Sequence, residues 1–169
     1  MNVLLSLGIL LGCTGMGFLK SLELYFRVSD IRQYQEYLYH LQREILYIHV
    51  PLEEAILTEF QHGKGKTKIQ RFQCSFKHRI QDLNWNSFSE IWQEVCDCDI
   101  DDRELRDIWL RMGRQLGKGN TSHQKQVLDH CSSELERLEQ RAFQTFCLQG
   151  KMYSSLGICF GLFLTVLFL

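Results

Sequence analysis

The sequence predicts an all-α protein: a helical bundle of about five to six helices, flanked by one apolar helix at each end. Residues 3–19 and 152–169 hold no charged side chain, whereas every Lys, Arg, Asp and Glu lies within 20–151. Within that charged part, apolar residues recur every three or four positions, which is the spacing of one helix face. No segment alternates polar and apolar residues as a strand does.

The two apolar ends predict transmembrane helices over 1–19 and 152–169, with a hydrophilic domain over 20–151 between them. At about 1.5 Å of rise per residue, each end approaches the hydrocarbon thickness of a bilayer, roughly 30 Å. Lys and Arg flank both ends only on the side of the hydrophilic domain. Because basic flanks stay in the cytoplasm, we expect that domain to be cytoplasmic and both termini to lie across the membrane.

A cleavable leader is the alternative for the first apolar end. Residues 10–13 (LLGC) resemble a lipoprotein cleavage site. No basic residue precedes them, however, and the apolar character continues through Leu19. A secretory leader combines a basic start with a stop at the cleavage site, so the sequence favours an uncleaved anchor.

Small residues four positions apart occur in both apolar ends: Gly8 and Gly12 in the first, Gly157 and Gly161 in the second. This GxxxG spacing lets two helix backbones approach closely in lipid, and it predicts packing within the chain or between subunits. Glycine is also frequent in membrane helices in general, which would explain the same spacing without any packing role.

Charge and cysteine content exclude several functions. The 19 Lys and Arg and the 20 Asp and Glu are mixed along the chain and give a net charge of -1, so no basic face for nucleic acid is predicted. No glycine pattern of a P-loop or a Rossmann fold occurs. The seven cysteines include no CxxC spacing, and the odd number within 20–151 indicates reduced thiols rather than a disulfide framework.

Local signals divide the hydrophilic domain into helices. Ser29 is a candidate cap for a helix that reaches about His49. Pro51 ends that helix and suits the first turn of the next one. Thr67 is a candidate cap for a third helix, after a glycine–lysine turn over 63–66.

A short fourth helix, a fifth that ends before Gly117 and a sixth from Ser122 follow. The sixth meets no proline, so we expect it to run towards the membrane with Gly150 as its one weak point. The core is expected to form from the apolar seams of these helices, namely Ile31, Tyr34, Leu38, Leu41, Ile45, Ile48, Leu52, Ala55, Ile56, Phe60, Ile69, Phe72, Phe76, Ile80, Leu83, Phe88, Ile91, Trp92, Val95, Cys96, Leu105, Ile108, Trp109, Met112, Leu116, Leu128, Cys131, Leu135, Leu138 and Ala142.

Residues 96–102 (CDCDIDD) are the most suggestive stretch chemically. They resemble the start of a calcium loop, but the required glycine is absent and Ile108 stands at the closing position. As a zinc site, Cys96 and Cys98 offer CxC spacing without a second cluster. We therefore expect a polar turn in which Asp101 or Asp102 caps the next helix.

No catalytic set is evident in the sequence. The 6 histidines are scattered, no HExxH occurs, and the acidic pairs lie at helix starts, where the helix dipole accounts for them. We therefore expect no enzymatic activity, no cofactor and no metal site, and a structural or interaction role instead.

Three segments carry a family resemblance that spans the chain: LQREILYIHVPLEEA (41–55), RQLG (114–117) followed by Gln124, and KMYSSLGICFGLFLTVLFL (151–169). Together they resemble stage III sporulation protein AB of endospore-forming bacteria. The residues that match its pattern are Glu44, Ile45, Tyr47, Pro51, Leu52, Glu54 and Ala55, then Leu156, Gly157, Gly161 and Leu162. Two positions depart from it, at Val50, where Ser or Thr is usual, and around Gly119 and Asn120, where an acidic residue is usual.

The resemblance implies a subunit of the sporulation channel between mother cell and forespore, a machine related to bacterial secretion systems. It also implies a soluble part similar to the helical cytoplasmic domain of the type II secretion platform protein. By that likeness we expect the protein in the mother-cell (outer forespore) membrane, with its soluble domain facing the cytosol and docking the channel's ATPase. The orientation agrees with the one that the basic flanks predict.

The leading hypothesis is thus a non-enzymatic platform that couples a cytosolic ATPase to the membrane subunits of the channel. Its expected docking surface is the proline elbow, with Glu44, Tyr47, Pro51, Glu53 and Glu54, because this is a sharp charged corner away from the core seam. Helix capping and ordinary surface roles would explain the same residues.

Two hypotheses from other classes remain open at the level of sequence. One is a membrane-anchored metal or redox sensor that uses Cys96, Cys98 and a histidine. The other is a self-assembling structural spacer, which would form homo-oligomers without contacting a motor.

Overall fold

The computed structural model describes residues 2–58, 60, 68–81, 87–116, 121–150, 152, 153, 155, 156, 159 and 163, and for 2–11, 13, 14 and 17 the backbone alone. All regular structure in these residues is helical, which confirms the all-α prediction and the expected number of helices. The elements are α1 (Asn2–Gln42), which continues into a π-helical turn (Arg43–Ile48), then α2 (Leu52–Leu57), α3 (Lys68–Gln81), α4 (Phe88–Asp99), α5 (Arg103–Gln115) and α6 (Thr121–Thr145), which ends in a second π-helical turn (Phe146–Gly150).

The chain divides into two compact units. One consists of Met1–Ser29 and Gln140–Leu169, and the other is Asp30–Glu139. The second unit contains the elbow and most of the buried core.

Helix α1 is continuous from Asn2, so the predicted helix start at Ser29 is wrong. No glycine or proline lies between residues 18 and 50, and residues such as Leu, Glu, Lys and Arg favour helix there. Ser29 lies inside this continuous helix, where there is no helix N-terminus for its side chain to cap. The predicted cap at Thr67 and the predicted turn over 63–66 lie outside the described residues. Of the second predicted turn, over 117–121, residues 117–120 also lie outside them, and Thr121 already belongs to α6.

Among the described residues of the second unit, the side chains of Asp102 and Ser87 cap helices. Asp102 Oδ1 accepts hydrogen bonds from the backbone N–H groups of Glu104 at 3.0 Å and Leu105 at 3.1 Å, which confirms the predicted cap of α5. Ser87 precedes α4, and its hydroxyl accepts a longer bond, 3.4 Å, from the N–H of Glu90.

Aromatic rings from four helices meet in the core of the second unit. Trp92 of α4 and Trp109 of α5 stack with their ring centroids 5.6 Å apart, and Trp92 Nε1 donates to the Trp109 carbonyl oxygen at 2.8 Å. Tyr37 of α1 stacks on Trp109 at 5.8 Å, and Phe72 of α3 meets Trp92 edge-on at 5.3 Å. Such pairs add about 0.5–1.5 kcal/mol each beyond the apolar area that they bury.

Most of the predicted core seam is buried, but Ile48 is 56% exposed, so its prediction as a core residue is wrong. It lies in the π-helical turn, whose i→i+5 bonding moves later side chains to another face. Leu52, Phe60, Ile80 and Phe88 are half-buried, and Leu83 lies outside the described residues.

Gly113 of α5 lies directly against the Trp92 ring. A Cβ added at this position would be 2.0 Å from Trp92 Cδ1 and 2.2 Å from its Nε1. The side chain that would move is itself fixed by its bond to the Trp109 carbonyl and by the rings around it. The close approach of α4 and α5 therefore requires glycine here.

In the first unit, α1 and the segment after α6 contact each other. The rings of Tyr25 and Phe146 lie 5.9 Å apart, and a Cβ added at Gly150 would be 3.2 Å from Ser21 Oγ. Large apolar side chains of this unit are exposed at Met16, Phe18, Leu19, Tyr25, Phe26, Phe143, Leu148, Met152, Leu156 and Phe163.

Among the residues that the structure describes, no helix combines the length and the apolar character needed to span a membrane. The transmembrane helices over 1–19 and 152–169 stay predictions. So does the GxxxG packing: a Cβ added at Gly12 would meet no described atom within 4 Å. For Gly8 the structure describes only the backbone. Gly157 and Gly161 lie outside the described residues.

We expect Gly113→Ala to destabilise the protein. Alanine within a helix is ordinarily favoured over glycine by roughly 0.5–1 kcal/mol, but overpacking against Trp92 opposes this and costs about 1–3 kcal/mol. Urea unfolding followed by tryptophan fluorescence measures the difference. The matched control is Arg114→Ala at the exposed neighbouring position, which should leave the midpoint unchanged. A Gly113→Ala variant as stable as the parent would contradict the fixed position of Trp92.

Candidate docking surface at the proline elbow

The proline elbow, residues 43–54, is the reversal between α1 and α2. The helix widens into the π-helical turn and stops at His49, whose backbone is left-handed with φ 60° and ψ 36°. The backbone N–H groups of His49 and Val50 both point back to the Glu44 carbonyl, the latter at 3.1 Å. As in a Schellman motif, backbone N–H groups beyond the helix end thus provide hydrogen bonds to a carbonyl of its last turn.

Helix α2 starts without a side-chain cap. Pro51 occupies its N-cap position with φ -54° and has no acceptor side chain, and Val50 before it provides none either. Glu53 and Glu54 stand in the first turn, where the helix dipole favours negative charge. The departure from the family pattern at Val50 thus coincides with an uncapped helix of only 6 residues.

Contacts from α1 and α3 hold α2 in place. The Tyr37 hydroxyl of α1 donates to the Ile56 carbonyl oxygen at 3.0 Å, and burial raises the pKa of Tyr37, so the donating proton is retained. Gln73 of α3 donates through Nε2 to the carbonyl oxygens of Ile56 at 2.9 Å and Thr58 at 2.8 Å. Because α2 alone is too short to be stable, these bonds and its buried Ala55 and Ile56 fix the corner.

A small charged cluster supports the elbow from inside. Glu44 is only 7% exposed, and its Oε1 lies 3.1 Å from Arg43 Nη2 and 3.8 Å from His40 Nδ1. Arg43 Nη2 also lies 3.1 Å from His40 Nδ1. A guanidinium can only donate, so Nδ1 accepts and the imidazole is neutral. Burial lowers the pKa of His40 and favours the same neutral form, more than the nearby Glu44 carboxylate opposes it.

The five residues predicted as a docking surface separate into two groups. Glu44 is buried under the corner, whereas Tyr47, Pro51, Glu53 and Glu54 are exposed. Tyr47 is 79% exposed and Ile48 beside it 56%, so the tip of the elbow presents two large apolar side chains to solvent. The docking role of all five stays a prediction.

Sequence reasoning missed the inward cluster and the exposed isoleucine. The four-residue spacing of His40 and Glu44 was the available signal for the cluster, since it places the two side chains on one helix face. No sequence signal marked the π-helical turn that turns Ile48 outward.

The two thiols considered for metal or redox chemistry differ in their exposure to solvent. Cys96 is buried in α4, and burial raises its pKa, whereas Cys98 is exposed at the end of the same helix. Burial likewise raises the pKa of Cys131 to about 12. Within the described part of the chain, no three His, Cys, Asp or Glu side chains are grouped to hold a metal ion.

Comparison with known proteins places the chain in a family. The family model described as stage III sporulation protein AB matches residues 2–169. No curated protein and no solved structure matches the chain. The family match extends over nearly the whole sequence, including the elbow and both apolar ends, and the chain therefore belongs to the stage III sporulation protein AB family.

Proposed function

We propose that this sporulation protein is a non-enzymatic platform subunit of the channel between mother cell and forespore, and that it couples a cytosolic ATPase to the membrane subunits. The observation that carries the proposal is the elbow, a corner tied to α1 and α3 that exposes Tyr47 and Ile48 beside the acidic Glu53 and Glu54. Family membership supports the sporulation setting.

The chemistry of the elbow suits protein recognition. Tyrosine buries a large area at low cost in side-chain entropy and is enriched among the residues that dominate binding energy. The surrounding carboxylates would steer a basic partner and set its register. Because the corner is already ordered by buried contacts, docking would require little further ordering of the backbone.

We further propose that the apolar ends anchor the protein in the membrane, with the Asp30–Glu139 unit in the cytosol. Two observations support this. Residues 3–19 and 152–169 carry no charge and have basic flanks only on their inner sides. The described apolar side chains in and near them are also exposed, with Met16 at 75% and Phe18 at 59%. Apolar surface of this extent is typical of membrane or protein contacts.

We expect the double variant Glu53→Lys and Glu54→Lys to weaken binding of the full-length protein to the channel ATPase by about tenfold or more. Reversing two exposed charges replaces attraction by repulsion towards a basic partner. Titration of the purified ATPase against the full-length protein in nanodiscs at fixed ionic strength measures the dissociation constant.

Asp107→Lys, a charge reversal at an exposed position of α5, is the control for this variant and should leave the dissociation constant unchanged. The double glutamine variant removes the carboxylates without adding repulsion and should give an intermediate affinity. Unaltered ATPase binding by the lysine variant would rule out the elbow as the docking surface.

We expect a membrane-impermeant maleimide to label the exposed Cys74 and Cys98 only after lysis of wall-stripped cells. The reason is that the hydrophilic domain is proposed to face the cytosol. Cys96 and Cys131 should stay unlabelled in the folded protein in both states, because they are buried and their pKa values are raised. Mass spectrometry of the labelled peptides identifies each thiol.

The control for labelling is the double variant Cys74→Ser and Cys98→Ser, which should lose these two labelled peptides after lysis. The exposed Cys147 is unchanged in this variant, so its peptide is followed separately. Labelling of either thiol in intact cells would place the domain on the opposite side of the membrane, where a cytosolic motor could not reach it.

A further inference from the structure

An open groove lies beside the elbow, where the starts of α2 and α4 meet the end of α5. Its volume is about 420 Å³, within the range of roughly 300–1,000 Å³ that is typical of ligand clefts. Its apolar walls are Pro51, Leu52, Phe88 and Leu116, and polar groups such as Glu53 and Ser89 lie at its margin. The groove is thus of a size and character that fit an apolar side chain.

The groove is formed by rigid parts of the core. Gly113 lines it on one side and touches the Trp92 indole on the other. The Phe88 ring packs at 5.6 Å from Trp92 and 5.9 Å from Phe76, centroid to centroid. These rings and the Trp92 hydrogen bond fix the α4 and α5 sides of the groove, so those sides keep their positions without an occupant.

The helix ends around the groove carry an excess of negative charge. Among the described residues, these helix ends contain three carboxylates, Glu53, Glu54 and Glu90, and one guanidinium, Arg114. All four side chains are exposed, and no described cation forms an ion pair with any of the three carboxylates. Elsewhere in the unit, carboxylates such as Asp30 and Glu134 are paired, with Lys68 at 2.7 Å and Arg111 at 2.9 Å.

We propose that the groove receives one apolar side chain from a basic segment of the docked ATPase, while a neighbouring Lys or Arg of that segment pairs with Glu53 or Glu90. This inference rests on the proposed function, and it names the chemistry of the partner's contact segment. Charge complementarity is the reason for choosing a basic protein segment over other occupants. Pro51, Leu52 and Glu53 belong to both the elbow and the groove, so the two surfaces adjoin and one partner segment can contact both.

Site-specific photo-crosslinking tests the occupant. The photoreactive residue p-benzoylphenylalanine is placed at Ser89 on the groove margin, and at the exposed Gln93 one turn further along α4 as the matched control. With the full-length protein in nanodiscs and the purified ATPase, Ser89 is expected to crosslink to the ATPase at an apolar residue within a few positions of a Lys or Arg. Gln93 is expected to give no such product.

Affinity measurements supply the second readout. Filling the groove with Ser89→Trp should weaken ATPase binding by about tenfold or more, whereas Gln93→Trp should leave it unchanged. Glu90→Lys, an exposed substitution that leaves the apolar walls intact, should also weaken binding. It keeps the proposal testable if Ser89→Trp does not fold.

The outcomes separate this inference from the proposed function. If the elbow charge reversal abolishes binding while Ser89→Trp and Glu90→Lys do not, the groove is ruled out as a contact site and the elbow remains the docking surface. Crosslinks from position 89 to lipid or to a second copy of this chain would contradict the proposal that the ATPase occupies the groove. If the parent protein does not bind the ATPase at all, the proposed function fails together with the inference.

Discussion

The contact of Trp92 with α5 is the interaction on which the rest of the second unit depends. The indole stacks on Trp109, donates to its carbonyl oxygen and occupies the space that a side chain at Gly113 would need. Phe72 and Tyr37 then bring α3 and α1 onto the same two rings. A single small residue in α5 thereby sets the distance between two helices and the position of every ring packed on them.

Contacts with that aromatic core hold the elbow in place. Tyr37 contacts Trp109 with its ring and bonds the end of α2 with its hydroxyl, so the corner is coupled to the aromatic cluster through one side chain. The inward Glu44, paired with Arg43, shows why a charged residue in a sequence motif need not be a surface residue. A buried carboxylate requires a partner, and the guanidinium of the adjacent Arg43 provides it.

The proposed platform role joins features that separate parts of the sequence contribute. In that proposed role, the apolar ends would supply attachment, the exposed Tyr47 and Ile48 would supply contact area, and the acidic helix starts would supply the charge that selects a partner. None of these requires a catalytic group. A protein of this kind would act by holding a motor at a fixed distance and orientation, for which a preorganised corner is suited.

The sequence by itself determined the helical class, the cap at Asp102, the position of the elbow and nearly all of the buried seam, because these follow from local periodicity and turn chemistry. The burial of Tyr37, the outward turn of Ile48, and the groove were decided by tertiary structure alone. Each depends on which helices meet and on one widened turn that shifts the helix register. Such contacts join residues far apart in the chain, and the spacing of residues along a single helix does not encode them.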